Sequence, residues 1–256
     1  MPSGISNSPS DRQQAESDLK SFVDRRVNDV RAFAASKDPA YFATVRAAID
    51  LNGKGILVPT RAMHSLASQP VEKRSAQLLE ACSDLIGHTE WVWCALEDMQ
   101  PERYASVEPA EVGRLAMYRA MNWVTTVFSF ASKVELVIER TGNWFDRGQF
   151  PDRPEVTKKY RDHVRHHIKK RWAKGRTSII HGAVDKGGLW GSITEEGGWA
   201  GFLAPDMDIR KVITAAQMDS ASEIDRWHRV KESQTPELMQ TAGVILTQFE
   251  RELPTL

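Results

Sequence analysis

Apolar residues recur every three or four positions along most of the chain, with polar residues between them, the pattern of helices that bury one face. Leu19, Phe22, Val23, Val27, Val30, Phe33 and Ala34 form one stripe, with Asp24, Arg25, Asn28 and Asp29 opposite. Tyr41, Phe42, Val45, Ala48 and Ile49 predict a shorter helix stopped by "NGKG", and a further short piece is expected over 59–68. Leu78, Leu79, Cys82, Leu85, Ile86, Trp93 and Leu96 predict a long helix over 71–99. Val112, Leu115, Ala116, Ala120, Trp123, Val127, Ala131, Val134 and Ile138 predict another over 109–141, and helices this long usually lie antiparallel in a bundle. The two-proline stretch between them serves as the turn. A basic helix is expected over 155–174, and two more over 206–232 and 236–252, the last with Thr235 as N-cap and Pro236 in its first turn.

Composition changes this picture in one place. Seven of the chain's 16 glycines fall between Gly182 and Gly201, and "LWGSI" and "WAGFL" around "TEEGG" read as a small β-hairpin. The expected fold class is therefore all-α, an antiparallel helical bundle with a small inserted β-hairpin. Residues 1–14 read as a disordered lead, and 15–254 as a single helical domain. The polar N-terminus has no apolar core of a signal peptide, and no apolar run is long enough to span a bilayer. Cys82 and Cys94 share one predicted helix at a separation of ~18 Å, too far for a disulfide. Two buried thiols in a reducing, cytoplasmic setting are expected.

Charge enters only locally. Thirty-four basic residues balance 34 acidic ones, so no whole-molecule field draws nucleic acid or membrane. Yet "TKKYRDHVRHHIKKRWAKGR", from Thr157 to Arg176, holds nine Lys or Arg, three His and the single acid Asp162. Such a segment suits a phosphate backbone, with Lys169, Lys170, Arg171 and Lys174 as RNA contacts and Tyr160 and Trp172 as stacking rings if they face outward. The competing reading is an ordinary solvated face, because Val164, Ile168 and Trp172 recur every four residues and suit a core. His163 and His167, four apart, share a helix face, but two ligands make no metal site, and no accompanying ligand motif is present. No cofactor is called for: phosphate-binding glycine loops, dinucleotide fingerprints and a serine-hydrolase elbow are all absent.

The segment leads into "GRTSIIHG", in which Arg176 and His181 enclose four residues and are flanked by Gly175 and Gly182. This arrangement, after long helices, resembles the signature of the HEPN superfamily (higher eukaryotes and prokaryotes nucleotide-binding), over about 71–183. The resemblance implies an all-α core and, in many members, metal-independent endoribonuclease activity in toxins, defence effectors or RNA processing; other members only bind nucleotide, RNA or a protein partner. A homodimer whose two motifs line one cleft is expected, with an antitoxin or other protein as a further partner. In that chemistry the RNA 2′-OH attacks the adjacent phosphate, leaving a 2′,3′-cyclic phosphate and a 5′-OH. His181 serves as general base or acid, since imidazole titrates near ~6.5, and Arg176 offsets charge on the phosphoryl oxygens. Five positions on a regular helix span ~140° about the axis, so the pair shares a face only if Arg176 lies at a helix start. Glu135, Glu139, Ser178 and Lys174 are candidates for a second proton-transfer group. Arg161 with His166 is an alternative motif. Arg176 and His181 also suit a helix C-terminus, hydrogen-bonding free carbonyls with Gly182 just beyond.

Overall fold

Proline punctuates the chain. In the computed structural model, which describes residues 9–36, 70–145, 148–172 and 209–254, three helices open on a proline and a fourth carries one in its first turn. These are α1 (Pro9–Ala35), α2 (Pro70–Glu97), α3 (Pro109–Trp144) and α4 (Arg153–Val164, with Pro154). Proline suits these positions because its fixed φ is helical and its missing N–H would be unpaired there anyway. A 3-10 turn (Pro101–Tyr104) joins α2 to α3. A π-helical turn (Arg165–Lys169) continues α4 into the short α5 (Lys170–Trp172), and α6 runs from Ile209 to Glu250. The described residues are all-α, and none of their helices is long and apolar enough to cross a membrane. The expected hairpin and the short helices over 41–49 and 59–68 lie outside the described residues.

The chain groups into two units. One comprises Met1–Glu90, Ser129–Ile168 and Leu238–Leu256; the other comprises Trp91–Phe128 and Lys169–Glu237. In the first, Leu19, Phe22, Leu78, Leu85, Phe130, Val134, Ile138, Val164, Leu246 and Phe249 are fully buried. Arg25 grips Glu250 through Nε and Nη2 at 2.7 and 2.6 Å, and the buried Arg26 adds a third bond at 2.8 Å, tying α1 to the end of α6. In the second, Tyr104, Ala116 and Ile224 cluster with Val112 and Leu115.

Three expectations are corrected. Helix α1 starts at Pro9, so part of the expected lead is helical. Cys82 is buried, but Cys94 is exposed, because it falls between the inward-facing pairs Val92–Trp93 and Ala95–Leu96. Trp144, at the end of α3, is buried, and its indole N–H donates to Ser75 at 3.0 Å. The two C-terminal helices are one, with Pro236 inside it. Thr235 is no N-cap: its hydroxyl donates backwards to the Lys231 carbonyl at 2.8 Å, as Ser233 does to Val230 at 2.9 Å. These side-chain bonds supply donors next to the one that Pro236 lacks, at a point where an interior proline costs about 3 kcal/mol.

Gly243 marks a close approach of α6 to α1. A Cβ there would stand 2.8 Å from the Asp18 Cβ and 3.2 Å from the Leu19 backbone nitrogen, neither of which can swing aside. Gly87, in α2, has nothing within 4 Å of the same point. Both substitutions to alanine gain about 1 kcal/mol of helix propensity, but overpacking costs about 1–3 kcal/mol at position 243 alone. Urea denaturation is expected to show Gly87→Ala more stable than wild type and Gly243→Ala less stable. Equal shifts would mean that the two helices relax apart freely.

Candidate nucleic-acid interface

The basic segment is built on a strict four-residue apolar repeat. Tyr160, Val164, Ile168 and Trp172 are all buried, so the two aromatic rings proposed to stack on bases belong to the core. An α-helix turns ~100° per residue, and a stripe spaced by four would drift ~120° between the first and last of these residues. The wider π-turn takes up that drift, which keeps the repeat facing inward and places Arg165, His166 and His167 in the widened turn.

Tyr160 anchors the helix. Its ring meets Phe249 edge-on at 5.5 Å, and its hydroxyl shares its one proton between the Gln248 carbonyl at 3.1 Å and Glu252 Oε1 at 3.2 Å. Burial raises the phenol's pKa, and the hydrogen bond from Lys159 lowers that of Glu252. On the opposite side of the helix sit most of the charges, and here the structure supplies acids that the local sequence lacks. Lys159 bonds Glu252 at 2.8 Å, Arg161 bonds Glu139 at 3.0 Å, and Arg165 reaches Glu135 at 3.4 Å and Asp162 at 3.0 Å. Arg171 pairs with Glu237 at 2.7 Å, and the Lys169 ammonium lies 4.8 Å from the Phe128 ring centre. Lys158 and Lys170 are exposed and make no ion pair with a described residue.

The two residues of the alternative motif make separate contacts. Arg161 is held by Glu139, His166 packs against His167 with ring centres 4.9 Å apart, and no hydrogen bond, ion pair or ring contact joins Arg161 to His166. Glu135 and Glu139, candidates for a second proton-transfer group, serve as anchors for Arg165 and Arg161. The matched i,i+4 spacing of the two acids on α3 and of Arg161 and Arg165 was the sequence signal for this pairing. Nothing nearby in sequence signalled Glu252 or Glu237. Arg176, His181, Lys174 and Ser178 lie outside the described residues. Among the described residues no group of three or more His, Cys, Asp or Glu is placed to hold a metal ion.

Among the described residues, the amine shifted furthest is Lys231 on α6. It donates to Gln234 Oε1 at 3.1 Å and lies 4.3 Å from the centre of the buried Trp123 ring, whose N–H donates to Thr235 Oγ1 at 3.3 Å. The ring face favours the cation, but burial outweighs it and lowers the pKa to about 8. Between about pH 8 and 10.5 the unfolded chain therefore binds more protons at this lysine than the folded one, and its contribution to stability rises with pH. Below that window the folded state carries the full penalty of a buried ammonium. Lys231→Met is expected to stabilise the protein at neutral pH and to remove an alkaline rise on the order of 2–3 kcal/mol from the difference curve. The Cys82 thiol, pushed up to about 12 by burial, titrates alike in both proteins and cancels. Parallel stability curves from pH 7 to 10 would place the amine in water.

No family model, curated protein or solved structure matches this chain.

Proposed function

We propose that the protein is a HEPN-like, metal-independent endoribonuclease in which Arg176 and His181 act on RNA guided by the basic helix before them. The observation that carries this reading is the orientation of that helix. Its apolar repeat is buried, it is helical as far as Trp172, the last described residue before Arg176, and Lys158, His166, His167 and Lys170 face solvent without a described acid partner. The all-α architecture, with long helices α2 and α3 preceding the motif, supports the resemblance on which the chemistry rests. His181 takes the proton of the attacking 2′-OH or returns one to the leaving oxygen. Arg176 holds the non-bridging oxygens, and two motifs in a homodimer complete the cleft. A role as a toxin or defence effector, with an antitoxin as partner, belongs to the same reading.

One observation favours a second reading, a non-catalytic module that binds nucleotide, RNA or a protein partner. Lys159, Arg161, Arg165 and Arg171 are engaged by Glu252, Glu139, Glu135 and Glu237, so much of the segment's charge holds the fold together. Incubation of the full chain with RNA in EDTA, followed by end-group analysis, separates the two. Cleavage leaving cyclic-phosphate ends supports the nuclease; binding without cleavage supports the module.

A further inference from the structure

Between Lys158 and His167 the fixed charges cancel. Lys158, Lys159, Arg161 and Arg165 are four cations, and the carboxylates around them are also four: Asp162 on the same helix, Glu135 and Glu139 from α3, and Glu252 just after α6. What remains to set the charge of this surface is imidazole. His166 and His167 are exposed and His163 is half-buried. Their rings form an edge-to-face chain, with centres 5.9 Å apart from His163 to His167 and 4.9 Å from His166 to His167, continued inward by Tyr160 at 5.4 Å from His163. None of the three makes an ion pair with a described residue. The widened turn allows this crowding, since it contains both His166 and His167.

We propose that His163, His166 and His167 form a phosphate-recognising surface that engages single-stranded RNA in its protonated form, so that binding tightens as the pH falls. The proposal rests on the reading that this chain acts on RNA, and it names the surface and the proton that governs it. With neutral imidazoles the segment carries no net charge; with three imidazoliums it carries three positive charges. Each imidazolium presents two N–H donors and no acceptor, which suits phosphate oxygens, whereas a neutral ring donates only once. Three adjacent cations repel one another, and a bound phosphate backbone relieves that repulsion. Protonation and RNA binding therefore favour each other, as linkage requires. Tyr160 and Phe249 behind the chain are aromatic, and the acids facing it are already held by Lys159, Arg161 and Arg165. A polyanion is therefore the outstanding counter-charge for the imidazoliums.

Filter binding of the full chain to a short 2′-O-methyl RNA tests this, because that strand lacks the attacking hydroxyl and stays intact. Between about pH 7.5 and 5.5, the range over which imidazole changes charge, wild-type affinity is expected to rise about tenfold. The dependence of log K on log salt is expected to steepen by about 1.4, the worth of two further phosphate contacts on a single strand. His166→Gln/His167→Gln replaces two exposed rings and is expected to keep the unfolding curve of the wild type while losing most of the pH response. Lys170→Gln is expected to weaken binding equally at both pH values, leaving the ratio intact. A wild-type affinity that does not change with pH, or the same response in the double variant, overturns the proposal. If RNA is cut in EDTA while either of those results holds, the nuclease reading stands and this surface alone is lost. Absence of RNA binding at every pH sinks both.

Discussion

Alanine at His181 is expected to slow RNA cleavage by about 10²–10⁴-fold, the usual worth of a positioned general acid or base, with RNA binding nearly unchanged. A neutral side chain that moves a proton in the transition state contributes little to holding the ground state, so the loss falls on kcat rather than KM. Arg176→Ala is expected to cost about 10²–10³-fold, the loss seen when one preorganised donor to a developing oxyanion is removed. Part of that loss should appear as weaker binding, since the guanidinium also meets the phosphate before reaction. Arg176→Lys keeps the charge but loses the planar fork, and is expected to recover only part of the rate. EDTA is expected to leave the wild-type rate unchanged. If both alanine variants cut at the wild-type rate, the motif between the two glycines is not the site. Arg161→Ala separates the alternatives further. Because Arg161 is already held by Glu139, its removal is expected to lower stability and leave chemistry intact.

Phe249→Ala carries the largest expected effect on the fold. The ring is fully buried, with Phe22 of α1 at 6.5 Å and Tyr160 of α4 at 5.5 Å, so one side chain of α6 joins three helices. Phenylalanine-to-alanine changes in such positions cost about 3–5 kcal/mol, through lost burial and the cavity left behind. Denaturant midpoints are expected to fall accordingly, while Phe249→Leu, which fills most of the volume, is expected to cost less than about 1.5 kcal/mol. A near-neutral Phe249→Ala would mean that α1 and α4 close over the gap. The same ring supports Tyr160, which backs His163, so the alanine variant is also expected to loosen the imidazole surface before global unfolding.

Helix positions were legible in the sequence because helical periodicity is local. The stripes on α2 and α3 placed both helices to within a few residues, and the spacing of Val164, Ile168 and Trp172 identified the buried face of the basic helix. Tyr160 continues the same stripe one turn earlier, so it too is buried, and neither it nor Trp172 faces outward to stack on bases. Pro236 misled for a related reason: proline stops an isolated helix, but α6 runs through it to Glu250. Cys94 was misread because a run of apolar neighbours hides which single position looks outward.

The candidate surface divides along the same line. Its basic and histidine content, the four-residue repeat and the Arg176–His181 spacing all belong to the sequence by itself. The charge that surface presents was decided by tertiary structure alone. Glu252 meets Lys159 across 93 residues and Glu139 and Glu135 arrive from another helix, so the stretch from Lys158 to His167, which reads as basic, is neutral until its imidazoles take up protons. Periodicity is a property of neighbours along the chain, whereas charge at a surface is a sum over everything that folding brings near it.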